Sequence, residues 1–330
     1  MTKEINNKLI EDLKHKHYGI YGKHSAVEIC TWNKKALKGE GVCYKEQFYN
    51  ADCHRCAQIT PAMLWCHQNC VFCWRPADYM NIAKLDLDFI DDPKEIIEGL
   101  FKEREKLLSG FGGNNKVDKK LLEEAKIPNH VAISLSGEPT LYPKLDEMIL
   151  YLKEKKMRTI FLVTNGLEPN MLKKLQKNDA LPTQLYVSIE ASNINQHLKI
   201  NRPKIKNSWD ILNETIELMP KLNCRKVVRF TMIKGLNDSL EDLDNFIKIF
   251  EKTDTDFLEI KAYMFLGNSR FNLKIENMPS YQEVEDYSKK FQEKSSLFNI
   301  EDVCKPSRII LLKNKNSKVN NFIYPKENKN

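Results

Sequence analysis

Three cysteines stand close together in MLWCHQNCVFCWRP, residues 63–76. Cys66, Cys70 and Cys73 are spaced C-x3-C-x2-C, with Phe72 just before the last. Three thiolates confined to one loop point to metal ligation. Zinc takes four protein ligands in closed tetrahedral sites. A cubane iron–sulfur cluster has four irons and is held by cysteine thiolates. Three cysteines leave one of those irons without a protein ligand and open to a substrate. The rest of the chain has to position that chemistry.

The other cysteines are Cys30, Cys43, Cys53, Cys56, Cys224 and Cys304, so the total of nine is odd and seven lie between Cys30 and Cys73. A disulfide-stapled secreted fold spreads its cysteines through a short chain and carries a signal peptide. Clustering here fits a reducing compartment and metal ligation. Cys224 and Cys304 read as buried, inert thiols. A zinc ribbon is the rival reading: Cys53-x2-Cys56 and Cys70-x2-Cys73 are 13 residues apart, near ribbon spacing. The remainder of the chain would then be a tRNA- or protein-binding domain. That reading leaves Cys30, Cys43 and Cys66 idle.

With 330 residues, 42% hydrophobic and 29% charged, the chain fits a globular α/β protein with additions. No stretch approaches the roughly 20 apolar residues of a membrane span. The first residues, MTKEINNKLIEDLKHKH, form a polar helical pattern without the apolar core of a signal peptide. A cytoplasmic protein is expected. The net charge of +7 leans towards a polyanionic partner, against the plainer reading of a Lys-rich solvated surface.

Residues 1–29 read as a helix and a lead-in, and residues 30–60 as an irregular stretch that metal can order. From Ile59, short apolar runs alternate with amphipathic helices. Strands are expected near 59–65, 130–136, 158–163, 184–189, 226–232 and 257–263. Helices are expected over 92–108, 118–126, 143–155, 169–177, 208–219, 239–251 and 280–293, with Asp92 as cap and Pro93 in the first turn. Arg308 to Leu312 is a further candidate strand. Six units of this kind argue for a parallel sheet in a partial, laterally open (βα)6 barrel, short of the eight that close a full one. The expected divisions are an irregular cysteine-rich N-terminal extension over 1–58, the barrel over 59–312 and a basic tail over 313–330. The tail reads as disordered, or as a basic arm for nucleic acid.

In parallel α/β sheets the site lies at the carboxyl ends of the strands. Polar segments recur there. They are the cysteine loop, Ser136-Gly137-Glu138-Pro139-Thr140, Thr164-Asn165-Gly166, Glu190-Ala191-Ser192 followed by Asn201-Arg202-Pro203, and Tyr263-Met264-Phe265-Leu266-Gly267. Gly137 permits close backbone approach, and Glu138 offers an acceptor for an ammonium group.

C-x3-C-x2-C with an aromatic before the last cysteine, then GEP, then a partial barrel, resembles the radical S-adenosylmethionine superfamily. The resemblance implies that Cys66, Cys70 and Cys73 ligate a 4Fe–4S cluster. Its open iron chelates S-adenosyl-L-methionine, which is cleaved to a 5′-deoxyadenosyl radical that abstracts hydrogen. Gly137, Glu138 and Pro139 would lie beside the methionyl amine, with Thr164, Asn165 and Ser188 in the cofactor shell. HSAVEIC, GVCYK, HRCAQITP, INRP, KAYMFLGNSR and KPSR narrow the match to the archaeal form of the tRNA 4-demethylwyosine synthase family, over about residues 17–312. That family condenses pyruvate carbons onto N1-methylguanosine at position 37 of phenylalanine tRNA, forming the tricyclic wyosine core. By the same resemblance Cys30, Cys43 and Cys56, at steps of 13 residues, hold a second, auxiliary 4Fe–4S cluster. Lys45 stands where the family's Schiff-base lysine is proposed.

The implied partners are tRNA(Phe) bearing N1-methylguanosine, pyruvate, and an external electron donor of flavodoxin or ferredoxin type, with the enzyme a monomer away from membranes. Arg75, Arg202, Arg270 and the aromatics around Tyr263 and Phe265 are candidates for RNA contact. Cys53 is expected to be a bystander. Glu190 stands where the family pattern leads us to expect aspartate. The same radical chemistry on a different substrate is the remaining alternative.

Overall fold

The computed structural model describes residues 7–75 and 90–325. The chain opens with α1 (Asn7–His15) and a hairpin of β1 (Tyr18–Tyr21) and β2 (Ser25–Glu28). Two short helices follow, α2 (Thr31–Leu37) and α3 (Tyr44–Tyr49), then a 3-10 turn over Cys53–Arg55 and β3 (Cys56–Thr60). The stretch expected to be irregular is therefore largely ordered. Helices of six and seven residues are too short to print a 3.6-residue period. The expected boundary at 58/59 falls inside β3, and β2 pairs antiparallel with β3.

The repeating part follows the expected rhythm. After β3 come α4 (Pro93–Ser109), α5 (Lys119–Lys126) and β4 (His130–Ile133), then α6 (Leu145–Glu154) and β5 (Thr159–Thr164). Next come α7 (Pro169–Lys177) and β6 (Gln184–Ser188), then α8 (Ile194–Ile200), α9 (Ser208–Leu218) and β7 (Arg225–Met232). The series continues with α10 (Leu243–Lys252), β8 (Phe257–Ala262), α11 (Tyr281–Lys294), β9 (Phe298–Cys304) and β10 (Ile309–Asn314). Strands β3 to β8 are parallel neighbours in sequence order. These are the six βα units. β10 joins β8 antiparallel, and β9 flanks it. The ten-stranded sheet keeps two edges, so the barrel is open at the side. At α4 the Asp92 carboxylate caps as expected, accepting from the amides of Lys94 (2.9 Å) and Glu95 (3.3 Å).

Alternation along the strands divides the core. Val131, Ile160, Leu185, Val228 and Leu258 face outward and pack under the helices. Ala132, Phe161, Tyr186, Val227 and Phe257 face inward and pack against Tyr44, Phe48 and Tyr49 of α3. Burying each of these large side chains stabilises the fold by roughly 1.5–3 kcal/mol. α3 is thus anchored inside the barrel by its own aromatic residues, and the two residues that start it, Tyr44 and Lys45, are carried in with it.

The expected disordered tail is a correction for residues 315–325. Val319 and Ile323 pack on the interior cluster. Ile323 N–H donates to the Tyr49 carbonyl (3.1 Å), and Asn50 Nδ2 donates to the Tyr324 carbonyl (2.9 Å). Arg225 donates to the carbonyls of Asn320 (2.5 Å) and Asn321 (2.9 Å). The segment is tied to α3 and to the amino end of β7. Its apolar anchors are hidden among asparagines and lysines, so composition points the wrong way. Residues 326–330 lie outside the described residues. Among the described residues no helix is long and apolar enough to cross a membrane.

Candidate functional site

The loop that leaves β3 carries Cys66, Cys70 and Cys73, and backbone atoms from three other strand-end loops grip it. After β4, Glu138 N–H donates to the Trp65 carbonyl at 2.6 Å. Gly137 has φ +71°, and a Cβ there would sit 1.8 Å from the Ala62 carbonyl oxygen. After β6, the carbonyls of Asn201 (3.2 Å) and Ile200 (2.9 Å) accept from the amides of Asn69 and Val71. After β8, Asn268 N–H donates to the Trp74 carbonyl (3.1 Å), and a Cβ on Gly267 would come within 2.1 Å of the same oxygen. Both glycines are needed because backbone meets backbone.

Amide side chains reach the thiols. Asn165 Nδ2 lies 3.9 Å from Cys66 Sγ, and Asn201 Nδ2 lies 3.7 Å from Cys70 Sγ. Burial pushes the Cys66 thiol up to about 12, with the nearby Glu138 carboxylate adding to it. Burial, then Cys66 and Cys73, raise Cys70 well above the usual thiol range. Burial also raises Cys73, with Arg75 opposing. Three desolvated thiols are stable as thiolates only with positive charge among them. Donor type and the amides directed at sulfur fit a cubane cluster with one iron left open, although among the described residues no three His, Cys, Asp or Glu side chains already stand in metal-holding geometry.

Glu138 is buried, and its carboxylate is already engaged. Oε1 accepts from Thr140 N–H (3.0 Å), Thr140 Oγ1 (2.5 Å) and Thr164 Oγ1 (2.7 Å), while Oε2 accepts from Asn165 N–H (2.7 Å). Burial raises its pKa, and these donors oppose the shift. The expected ammonium acceptor also holds Thr164 and Asn165 in place. Pro139 starts the 3-10 turn that presents Thr140. Ser188 ends β6 on the inner side shared with Tyr186. Glu190 accepts from Asn201 Nδ2 (3.2 Å), and burial pushes its carboxyl up to about 7.

A second thiol group forms at the amino end of β3. Cys30 caps α2, its sulfur accepting from Asn33 N–H (3.4 Å). Cys43 caps α3, and Cys56 begins β3. Asn33 Nδ2 donates to the carbonyls of Cys53, His54 and Cys56 at 3.0–3.1 Å. Burial, then Cys43 and Cys56, push the Cys30 thiol up to about 12. Cys53, the expected bystander, lies beside Cys43 and draws the Cys43 thiol down to about 7. Cys53 and Cys56 stand at one end of β3, and Cys70 and Cys73 beyond the other. Its five residues span roughly 13 Å, so the fold does not gather the four zinc-ribbon cysteines around one ion.

Beside the second group, Lys45 Nζ lies 4.4 Å from the Phe161 ring centroid and 4.8 Å from that of Tyr186. Burial, then the Arg229 charge, lower its pKa. Arg229 donates to Glu259 Oε2 (2.5 Å) and to the Tyr44 hydroxyl, and Tyr49 donates to Glu259 Oε1 (2.8 Å). Lys261 donates to the Ser307 carbonyl (2.8 Å), and burial brings it down to about 8. Arg229 and Lys261 face one carboxylate here, beside the Lys45 amine, so the chamber favours a small anion. Arg229, Glu259 and Lys261 escaped the sequence reading. The available signal was charge inside central parallel strands, in KVVRFTM and FLEIKAY, where buried apolar runs are the rule.

The RNA-contact candidates separate. Arg75 is buried, paired with Glu28 (2.7 Å) and Tyr18, with its guanidinium 3.4 Å from the Trp74 ring centroid. It is a structural residue, as is Tyr263, which is buried with its hydroxyl on Ser269 (2.8 Å). Arg202 and Arg270 are exposed, and Phe265 is half-buried beside Arg270.

Comparison with known proteins agrees with this geometry. The model of the radical SAM superfamily matches residues 60–247, and that for wyosine base formation matches residues 252–314. The S-adenosyl-L-methionine-dependent tRNA 4-demethylwyosine synthase of Pyrococcus abyssi is 42% identical, covering 94% of this chain and 91% of its own. The Pyrococcus horikoshii protein of the same name is 43% identical, covering 94% and 89%. A solved structure of TYW1 with a lysine-pyruvate adduct bound superposes with a TM-score of 0.85 at 34% identity, covering 97% of this chain and 99% of its own. The chain therefore belongs to the tRNA 4-demethylwyosine synthase family of radical S-adenosylmethionine enzymes.

Proposed function

We propose that the chain builds the tricyclic wyosine core on tRNA(Phe) by condensing N1-methylguanosine-37 with carbons of pyruvate. The single observation that carries the two-reactant reading is Lys45. It is an amine held between two aromatic rings, beside a second thiol triplet, in a cationic chamber.

Cys66, Cys70 and Cys73 would hold one 4Fe–4S cluster, and Cys30, Cys43 and Cys56 a second. When bound, the first supplies the electron that cleaves S-adenosylmethionine to the 5′-deoxyadenosyl radical. The chain's own residues do the rest of the positioning. Gly137 and Pro139 shape the turn after β4 that would lie beside the methionyl end of S-adenosylmethionine. Glu138 fixes Thr164 and Asn165, and with Ser188 these line the cofactor's side of the mouth. The pyruvate carboxylate is held against Lys261 and Arg229. Neutral Lys45 attacks the keto carbon, water leaves, and an imine forms. Burial and Arg229 both favour the neutral amine that this attack needs. α3 and the 315–325 segment close the amino end of the barrel and exclude water from that step.

The residues divide by role: those up to the start of β3 supply the second thiol triplet, the sheet from β3 to β10 the barrel, and residues 315–325 the closing tail. The protein acts as a monomer and takes electrons from a separate flavodoxin- or ferredoxin-type carrier. The test incubates reduced, reconstituted protein with S-adenosylmethionine, pyruvate and tRNA bearing N1-methylguanosine. A tricyclic nucleoside in the digest, dependent on pyruvate, is the expected result. Accumulation of 5′-deoxyadenosine without it would defeat the substrate assignment.

A further inference from the structure

We propose that the rim of the barrel mouth around Phe271 is a stacking platform for an unpaired nucleotide of the tRNA substrate, an inference that rests on the tRNA-modifying reading above. Large apolar side chains exposed to water are unevenly spread. Ten are exposed among the described residues. Seven of these sit on segments that follow the carboxyl ends of barrel strands: Trp74 follows β3, Ile194 and Leu198 follow β6, Leu240 follows β7, and the other three, Phe271 among them, follow β8. The apolar surface therefore collects on the face where the cysteine loop opens. Exposed apolar residues gathered on one rim mark an interaction surface.

Phe271 is the extreme case, 85% exposed, and it is rigidly mounted. It ends a 3-10 turn, Gly267–Phe271, whose first residue is clamped beneath the Trp74 carbonyl. The amides of Asn272 (3.0 Å) and Leu273 (2.9 Å) both donate to the Ser269 carbonyl. Ser269 is itself buried against Tyr263. A ring displayed on a fixed turn loses little freedom on binding.

Cations flank that ring. Arg202 donates to Asn272 Oδ1 (2.8 Å), on the residue next to Phe271. Arg270 precedes it, with its guanidinium 5.3 Å from the Phe265 ring centroid, and exposed Lys274 follows. Aromatic rings interleaved with guanidinium groups are a means by which proteins hold splayed bases and the phosphates beside them, and the chain's net charge of +7 favours such a polyanion. The occupant is therefore assigned as single-stranded RNA of the substrate loop, stacked on Phe271 with its backbone against Arg202 and Arg270.

The test measures binding of full-length tRNA bearing N1-methylguanosine to wild-type protein and to Phe271→Ala, Phe271→Leu and Phe271→Trp. Urea midpoints serve as the fold control and should not move. Loss of the ring should weaken binding about tenfold or more in the Ala and Leu variants, and Trp should stay within about twofold of wild type. Wild-type affinity in the Ala variant, or full affinity with Leu, would overturn the platform while leaving the tRNA reading intact. Unchanged tRNA binding in the Ala variant with turnover lost only when a reduced carrier protein replaces dithionite would assign the rim to the electron donor and overturn the proposal. Failure of the wild-type protein to bind the tRNA would overturn both readings.

Discussion

Gly137→Ala is expected to abolish formation of the tricyclic base, with a fall of at least about a hundredfold. The added Cβ would stand 1.8 Å from the Ala62 carbonyl oxygen and 2.7 Å from that of Trp65. Both obstacles are backbone, so no side chain can turn away. A φ of +71° adds about 1–2 kcal/mol for a residue with a Cβ. Relief requires moving the loop after β4 off the cysteine loop, which breaks the 2.6 Å bond from Glu138 N–H to the Trp65 carbonyl. The three thiols then lose their common frame. Reconstituted Gly137→Ala should lose the iron of that site and should release no 5′-deoxyadenosine, while iron at the second triplet persists. Gly113→Ala is the matched control. Nothing lies within 4 Å of a Cβ there, and stability should stay within about 0.5 kcal/mol of wild type. Normal iron and turnover in Gly137→Ala would refute the clamped-loop account.

Lys45→Ala and Lys45→Arg carry the second large effect, and together they separate nucleophile from counter-ion. An amine that attacks the keto group must be neutral and must reach the carbon. Arginine keeps the positive charge but cannot form the imine under these conditions. Both variants should lose roughly a hundredfold or more of tricyclic product, the scale on which a positioned reactive group acts. Borohydride treatment with labelled pyruvate should trap label on wild type and on neither variant. If Lys45→Arg retains turnover, Lys45 is an anchor for the carboxylate, and the covalent step is wrong.

The six-unit barrel was legible because each buried strand is a short apolar run bounded by turns, and each helix shows one apolar face. The cysteine loop was legible because thiolate chemistry leaves a spacing. The additions at the edges were not. β1 and β2 are four residues long, and β9 mixes buried, half-buried and exposed residues, so none of the three displays a clear alternation. The closing tail was misread because two apolar contacts and a set of carbonyl acceptors do the anchoring, and backbone acceptors leave no mark in composition. Gly137 read as a residue for close approach, but its partner, the cysteine loop itself, lies some 70 positions away in sequence and is supplied by the fold. The charged chamber was visible in principle as Arg229, Glu259 and Lys261 within apolar strands. Their convergence with Lys45 depends on α3 entering the barrel, which local pattern does not report.

Two thiol groups stand at opposite ends of β3, and the proposal gives each of them its own cluster. Iron and acid-labile sulfide, counted on anaerobically reconstituted protein alongside zinc, test this most directly. The wild-type chain should carry about eight irons, four for each cubane, and no zinc. Joint replacement of Cys30, Cys43 and Cys56 by Ala should leave about four. About four irons in the wild type, unchanged by that replacement, or a single bound zinc would contradict it.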